Sequence, residues 1–185
     1  MYDDISAFVD EPDKAPLPWT VMIEDWLQAL EGLKREQLRL DRTQKDRPTP
    51  ALPLNGIYTY EATDIMGPSL PAGAGEVAAL VTVIVALLLH HQGMQLRLHG
   101  TLEATLPFVC DRCLAPFETT VAAHPDELFL LLTQLPKSYQ QEEWVAQYSD
   151  ESDAFGPDDT FDLRDWVRQW IVLESAGQHW CSDCG

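Results

Sequence analysis

Residues 108–117, FVCDRCLAPF, lie between two stretches of alternating apolar residues and contain the first of two Cys-x-x-Cys pairs. The second pair, Cys181 and Cys184, is close to residue 185, and these two pairs account for all 4 cysteines of the sequence. Two such pairs supply four thiolates, the ligands that structural zinc prefers in a closed tetrahedron. We therefore predict that Cys110, Cys113, Cys181 and Cys184 bind one structural zinc ion and join distant parts of the fold.

Three other states of the cysteines are compatible with the spacing. The thiols could be reduced and free of metal, or four thiolates could hold an iron–sulfur cluster. A thioredoxin-like redox pair is a third possibility, although no βαβ pattern surrounds either pair. His179, two residues before Cys181, is an alternative ligand. Asp111 and Arg112 lie within the first pair, where we expect them to be exposed and available to a partner.

The residues before the first pair predict β-structure. Apolar and polar residues alternate between Met94 and Leu106, as in a strand with one buried face, and Gly100 predicts a bend. Val77–Leu89 is rich in Val, Ile and Leu, which favours a buried strand, with a helix as the alternative. His91-Gln92-Gly93 would then be the hairpin turn between the two strands.

Beyond the first pair, Phe117 to Ala123 alternate again and predict an antiparallel strand, followed by a short strand or helical turn at 126–132. Asp162 can cap a helix with Asp165 three residues later. Apolar residues then recur at helical spacing, which predicts an amphipathic helix packed on the sheet. They are Leu163, Trp166, Val167, Trp170 and Ile171.

The N-terminal half is less regular. We predict a flexible acidic leader over residues 1–18, a strand at 19–23, and one or two helices between Glu24 and Asp41. Prolines and glycines predict a loop-rich insertion at 43–75, with a short edge strand at 56–60, and acidic residues predict a mobile loop at 136–160. The expected fold is a single α+β domain over 19–185, with an antiparallel sheet in a meander or partly open barrel.

Charge restricts the kind of partner. The chain has 12 Lys and Arg against 30 Asp and Glu, a net charge of −18. Only 5 of those basic residues and 19 of the acidic ones follow residue 50, so that part is the more acidic. Such a surface repels phosphate and favours basic partners, so contact with RNA would be local or indirect. A basic region between Lys34 and Arg47 is most simply a solvated helix face and loop, with contact to RNA or a partner as the alternative.

Several functional classes lack their sequence signals. There is no Gly-rich phosphate loop, Gly-x-Ser-x-Gly or His-Glu-x-x-His motif, and the acidic pairs have no basic or histidine partners. We therefore expect a protein that is not an enzyme and has no small-molecule substrate. The longest apolar run is too short for a membrane-spanning helix, and no signal peptide is visible, so we expect a soluble intracellular protein.

One combination of motifs resembles a known family. Gly100 is followed by alternating apolar residues into Cys110-Asp-Arg-Cys113-Leu, and then by Phe117, an acidic gap, Phe161-Asp162-Leu163 at a helix start, and the terminal Cys pair with Gly185. This arrangement, over residues 94–185, resembles the YceD-like family of large ribosomal RNA subunit accumulation proteins, and most closely its cyanobacterial and plastid branch.

The resemblance implies a non-enzymatic factor that supports 23S rRNA accumulation and large-subunit assembly. It implies ribosomal proteins or rRNA-processing factors as partners, a cytoplasmic or plastid-stroma location, and metal binding by the four cysteines. Two alternatives remain, namely a zinc-stabilised protein-interaction module without a link to the ribosome, and a thiol redox switch.

Overall fold

The structure, a computed structural model, describes residues 15–40, 49–67, 80–132, 154–156 and 159–184. Within these ranges the helices are α1 (Ile23–Leu40), α2 (Ala62–Met66) and α3 (Leu163–Glu174). The strands are β1 (Thr20–Met22), β2 (Ala51–Glu61), β3 (Leu80–Gln92), β4 (Gln95–Val109), β5 (Pro116–Ala123), β6 (Asp126–Leu131), β7 (Ala154–Phe155) and β8 (Thr160–Asp162). The fold is α+β, as predicted.

A long antiparallel sheet forms the centre of the molecule. Its order is β2-β3-β4-β6-β7, with β5 also paired to β4, and every pairing except the short parallel contact of β6 with β7 is antiparallel. The sheet is open and its first strands follow one another as a meander. β5 and β6 pair with consecutive parts of β4, so together they form the second arm of one long hairpin. The first Cys pair lies at the tip of this hairpin.

Gly100 lies where β4 passes close to the backbone of β3 and changes its second partner from β6 to β5. It has a φ of 154°, and a Cβ there would lie 2.2 Å from the carbonyl oxygen of Ala86 on β3. Its amide donates to the carbonyl oxygen of Pro125, at the junction between β5 and β6, at 3.1 Å. Only glycine fits the close approach of the two backbones. The pairing of β4 with β3 runs through Gly100 without an extra residue, so the predicted bend stays a prediction.

One face of the sheet carries the core. Alternate residues of β3 and β4 are fully or almost fully buried, as period-2 spacing predicts. They are Val81, Val83, Val85, Leu87, Leu89, Leu96, Leu98, Leu102, Ala104 and Leu106. Met94, which the same alternation placed with them, is 38% exposed because β4 begins only at Gln95 and Met94 belongs to the turn.

Helices α1 and α3 cover this face. Ile23, Trp26 and Leu30 of α1 are buried, and the Trp26 ring lies 5.4 Å from that of Phe161. In α3 the predicted stripe packs inwards, with Leu163, Trp166, Val167 and Ile171 buried and Trp170 packed against the core. Asp162 caps α3 as predicted, because its carboxylate accepts from the Asp165 amide at 2.8 Å.

The sequence left residues 77–89 as either a strand or a helix. The described part, from Leu80, is a strand that continues to Gln92. The turn to β4 follows at 93–94, one residue later than predicted, with Gly93 at a φ of 60°. Residues 126–131 are also a strand. Gly32 does not interrupt α1, which is one continuous helix of 18 residues.

The predicted loop-rich insertion at 43–75 is wrong for residues 51–66. An 11-residue strand, β2, pairs with β3 over its whole length, and α2 follows directly. Pro53 fits into β2 because the strand lies at the edge of the sheet, where a missing N–H leaves no partner unsatisfied. Gly56 fits because the chain near residue 16 crosses it, so that a Cβ would lie 2.6 Å from the carbonyl oxygen of Ala15.

Two predicted mobile segments are also ordered at their ends. Within the leader, Leu17 donates to the carbonyl oxygen of Ile57 at 3.3 Å and the Ile57 amide donates to that of Ala15 at 3.1 Å, so 15–18 lie against β2. Within the acidic loop, 154–155 form β7. The rest of both predictions, at 1–14, 136–153 and 157–158, lies outside the described residues, as do 41–48 and 68–79.

No helix among the described residues is long and apolar enough to cross a membrane.

Candidate metal centre

The four cysteine sulfurs meet at one end of the molecule. Cys110 and Cys113 come from the tip of the β4–β5 hairpin, and Cys181 and Cys184 from the chain after α3. All four sulfur atoms lie within 4.8 Å of one another, and those of Cys113 and Cys181 are 3.6 Å apart. The sequence prediction that the two pairs come together is confirmed. We call residues 110–114 and 179–184 together the cysteine clasp.

Backbone hydrogen bonds shape the first turn of the cysteine clasp. The Cys110 amide donates to the carbonyl oxygen of Ala115, and the Leu114 amide donates to that of Cys110, both at 2.9 Å. The chain reverses tightly as a result, and Leu114 takes a left-handed conformation with a φ of 61°. Both side chains of the pair are thereby directed to the same point.

The second turn reaches the first because α3 ends at Glu174 and the chain then turns back. The Ser175 amide donates to the carbonyl oxygen of Ile171 at 2.9 Å, which closes the helix. Within the second pair, the Cys184 amide donates to the carbonyl oxygen of Cys181 at 3.0 Å. Cys110 and Cys181 are buried, whereas Cys113 is exposed and Cys184 is intermediate, so the cluster lies at the surface with one side inwards.

Direct hydrogen bonds join the two turns. The Asp111 amide donates to the carbonyl oxygen of His179 at 2.9 Å, and the Asp111 carboxylate accepts from the His179 amide at 2.7 Å. Arg112 donates to the carbonyl oxygen of Cys184 at 3.1 Å. The two residues that we predicted as partner contacts therefore hold the C-terminal segment of this same chain. Their contact with a partner stays a prediction.

His179 packs beside the cysteine clasp. Its ring stacks on Phe108 with the ring centroids 3.7 Å apart, and its Nε2 lies 2.8 Å from the carbonyl oxygen of Ser175. The imidazole is thus directed at Phe108 and at the end of α3, and the group of possible ligands consists of the four cysteines. In this arrangement His179 positions the tail and does not replace a ligand.

The four thiols influence one another's ionisation. Backbone N–H groups of Cys181 and Cys113 directed at its sulfur lower the pKa of the Cys110 thiol to about 6. Hydrogen bonds with the neighbouring sulfurs of Cys113 and Cys181, followed by burial, raise the pKa of Cys184 to about 12. The pKa of Cys181 is raised as well, chiefly by its contact with Cys113. The cluster by itself therefore favours one thiolate and resists the formation of four.

The donor set fits a metal of the zinc type. Zinc–sulfur bonds of about 2.3 Å place the sulfurs of a regular tetrahedron about 3.8 Å apart. The 3.6 Å between Cys113 and Cys181 is close to that value. A divalent cation would also stabilise all four thiolates, whereas the four thiols by themselves favour only one. Because four sulfurs fill a tetrahedral shell, such a site is structural and has no open position for water.

The sequence did not indicate the contacts that surround the cluster. The pairing of Asp111 with His179 and the stacking of His179 on Phe108 join residues about 70 positions apart, and no local pattern encodes such pairs. The cysteine spacing indicated the four candidate ligands but not the residues that surround them.

Comparison with known proteins gives one match. Residues 98–185 match the model of a protein family described as large ribosomal RNA subunit accumulation protein YceD, so this part of the chain is similar to that family. The matched residues begin at the fourth residue of β4, run to residue 185, and include the whole cysteine clasp and α3. No curated protein and no solved structure gave a significant match.

Proposed function

We propose that this YceD-like protein is a non-enzymatic ribosome-biogenesis factor that supports the accumulation of 23S rRNA and the assembly of the large subunit. The observation that carries the proposal is the family match over residues 98–185, whose description names the accumulation of large-subunit ribosomal RNA. Within this proposal the cysteine clasp has a structural role, and zinc is the metal that it binds.

The geometry supports a binding function more than a catalytic one. Four sulfurs within 4.8 Å of one another fill the shell of a tetrahedral metal, which removes the open position that metal-assisted hydrolysis needs. The turns that carry the sulfurs join the hairpin tip to the chain after α3. The metal would thus fix the surface formed by β4, β5 and the C-terminal segment, and this surface would meet a partner.

The charge indicates which partners are expected. A protein with a net charge of −18 is repelled by the phosphates of naked RNA and attracted to basic proteins. Ribosomal proteins and rRNA-processing factors, which bind rRNA, are basic proteins of this kind. We propose that the protein acts in the cytoplasm or plastid stroma, through such proteins, and that its contact with rRNA is indirect.

Depletion and sedimentation test the proposal. On depletion, we expect 23S rRNA to fall relative to 16S rRNA and immature large-subunit particles to accumulate. A tagged copy should co-sediment with those particles in a sucrose gradient. Normal 23S levels together with the absence of the tagged protein from all ribosomal fractions would contradict the proposal and favour an interaction module of another system.

A further inference from the structure

Two large apolar side chains of the cysteine clasp are exposed. Leu114 directly follows Cys113 and is 75% exposed, and Trp180 directly precedes Cys181 and is 56% exposed. The sulfurs of Cys113 and Cys181 are 3.6 Å apart, so both apolar side chains leave the backbone at the same end of the molecule. Tryptophan is among the residues that most often dominate binding energy in interfaces, and the leucine adds apolar area at the same end of the molecule.

The backbone at Leu114 indicates that the leucine is not there for folding. Its φ of 61° is a conformation that costs energy for any residue with a Cβ and that glycine adopts freely. The side chain regains little of this cost by burial, because three quarters of it is exposed. A strained position that keeps a large exposed apolar side chain is explained if that side chain contacts something outside the chain.

The surroundings of the two side chains are acidic. Asp111 and Asp183 lie exposed within the two turns. Four thiolates around the divalent cation of the proposed function would add further negative charge. All four described arginines after residue 50 are engaged within the molecule. Arg97 pairs with Asp126, Arg112 with the carbonyl oxygen of Cys184, Arg164 lies against the rings of Trp19 and Tyr60, and Arg168 pairs with Asp165.

We propose that the surface made by Leu114, Trp180, Asp111 and Asp183 binds a lysine- and arginine-rich protein segment that also carries apolar side chains. The Trp180 ring would take a cationic side chain on its face, Leu114 would contact an apolar one, and the carboxylates would pair with further cations. The proposal rests on the proposed function, in which basic ribosomal or processing proteins are the partners, and it specifies where they bind.

A synthetic peptide tests this surface directly. The probe is a fluorescein-labelled peptide of alternating Lys and Arg with a leucine at every fourth position, titrated with the zinc-loaded full chain at physiological salt and followed by fluorescence anisotropy. We expect Trp180→Ala and Leu114→Gly to weaken binding about fivefold or more, the effect of losing an interface residue worth about 1 kcal/mol. Asp183→Asn should weaken it less.

Matched controls separate this site from general attraction to an acidic protein. Leu128→Ala removes a leucine that is 52% exposed and pairs with Arg97, roughly 40 Å along the hairpin from Cys110. Glu103→Gln removes an exposed carboxylate of β4, well away from the turns. Both should bind the peptide like the unmodified chain. Leu114→Gly should melt no lower than the unmodified chain, so its weaker binding cannot be attributed to unfolding.

Three outcomes would overturn the proposal. They are equal losses in the site and control variants, no loss in either Trp180→Ala or Leu114→Gly, and tighter binding of an oligouridine of equal length than of the peptide. If the protein still co-sediments with immature large subunits in any of these cases, the proposed function stands and only this surface is wrong.

Discussion

Asp111 and His179 are joined by two hydrogen bonds. The Asp111 amide donates to the His179 carbonyl oxygen at 2.9 Å, and the Asp111 carboxylate accepts from the His179 amide at 2.7 Å. These two bonds join the hairpin tip to the C-terminal segment beside the sulfurs. They hold the segment that carries Cys181 and Cys184 against the turn that carries Cys110 and Cys113. A metal bound by the four sulfurs would join the same two segments, so the hydrogen bonds and the ligation would strengthen each other.

Loss of the Asp111 carboxylate should weaken metal binding although Asp111 is not a ligand. We expect Asp111→Ala to lower zinc affinity about tenfold, at the lower end of the range for residues that orient ligands. Asp111→Asn should lose less, because its amide oxygen can still accept from His179. Competition with a coloured zinc chelator measures both. Equal zinc affinities for Asp111→Ala and the unmodified chain would show that the bond to His179 does not position the ligands.

Two glycines should respond in opposite ways to replacement by alanine. At Gly100 a Cβ would lie 2.2 Å from the Ala86 carbonyl oxygen, with φ at 154°, so Gly100→Ala should lower the free energy of unfolding by about 3 kcal/mol or more. At Gly32, inside α1, a Cβ meets nothing within 4 Å, and Gly32→Ala should raise it by about 0.5–1 kcal/mol. Urea denaturation measures both. A Gly100→Ala variant as stable as the unmodified chain would contradict the close approach of β3 and β4.

Stability should fall in mild acid because of a histidine pair on the sheet. His90 and His99 stack with their ring centroids 5.1 Å apart. Burial lowers the pKa of each imidazole below 6.5, and the positive charge of Arg97 lowers both further. At His99 the carboxylate of Asp126 partly opposes this lowering. The unfolded chain then binds more protons than the folded one below about pH 6.5. The stability from the neutral pair is thus fully present above that pH and is lost as the pH falls through the lowered values.

A double variant isolates this effect from other acid-sensitive groups. The melting temperature of His90→Gln/His99→Gln, measured in excess zinc between pH 7.5 and 5.5, should decrease less than that of the unmodified chain. Release of metal by acid affects both proteins alike. The account of the pair would be wrong if the two melting temperatures declined in parallel.

The central hairpin was predictable from sequence because its signals are local. Alternation fixes which side chains of β4 are buried, and Cys-x-x-Cys marks the tip. Gly100, inside the strand, marks a close approach of two backbones. The same is true of α3, where Asp162 and the apolar stripe define the start and the buried face. In the metal centre, spacing alone identified the four sulfurs that the structure brings together.

The remaining features depend on contacts between residues far apart in the chain. β2 contains Pro53 and Gly56, which locally indicate a loop, and it is a strand because β3 offers a long edge to pair with. The bonds of Asp111 and Arg112 to the tail arise only once α3 returns the chain to the hairpin tip. Sequence therefore predicted which four sulfurs come together. The residues that hold the two turns against each other required the structure.

Metal analysis tests the central claim most directly. The full chain is purified without added metal, and its metal content is measured by mass spectrometry beside Cys113→Ser, with Ser182→Ala as a control in the second turn. We predict one zinc per chain in the unmodified protein and in Ser182→Ala, and loss of both zinc and thermal stability in Cys113→Ser. A full complement of zinc in Cys113→Ser, or iron in place of zinc in the unmodified chain, would contradict a structural zinc site formed by the four cysteines.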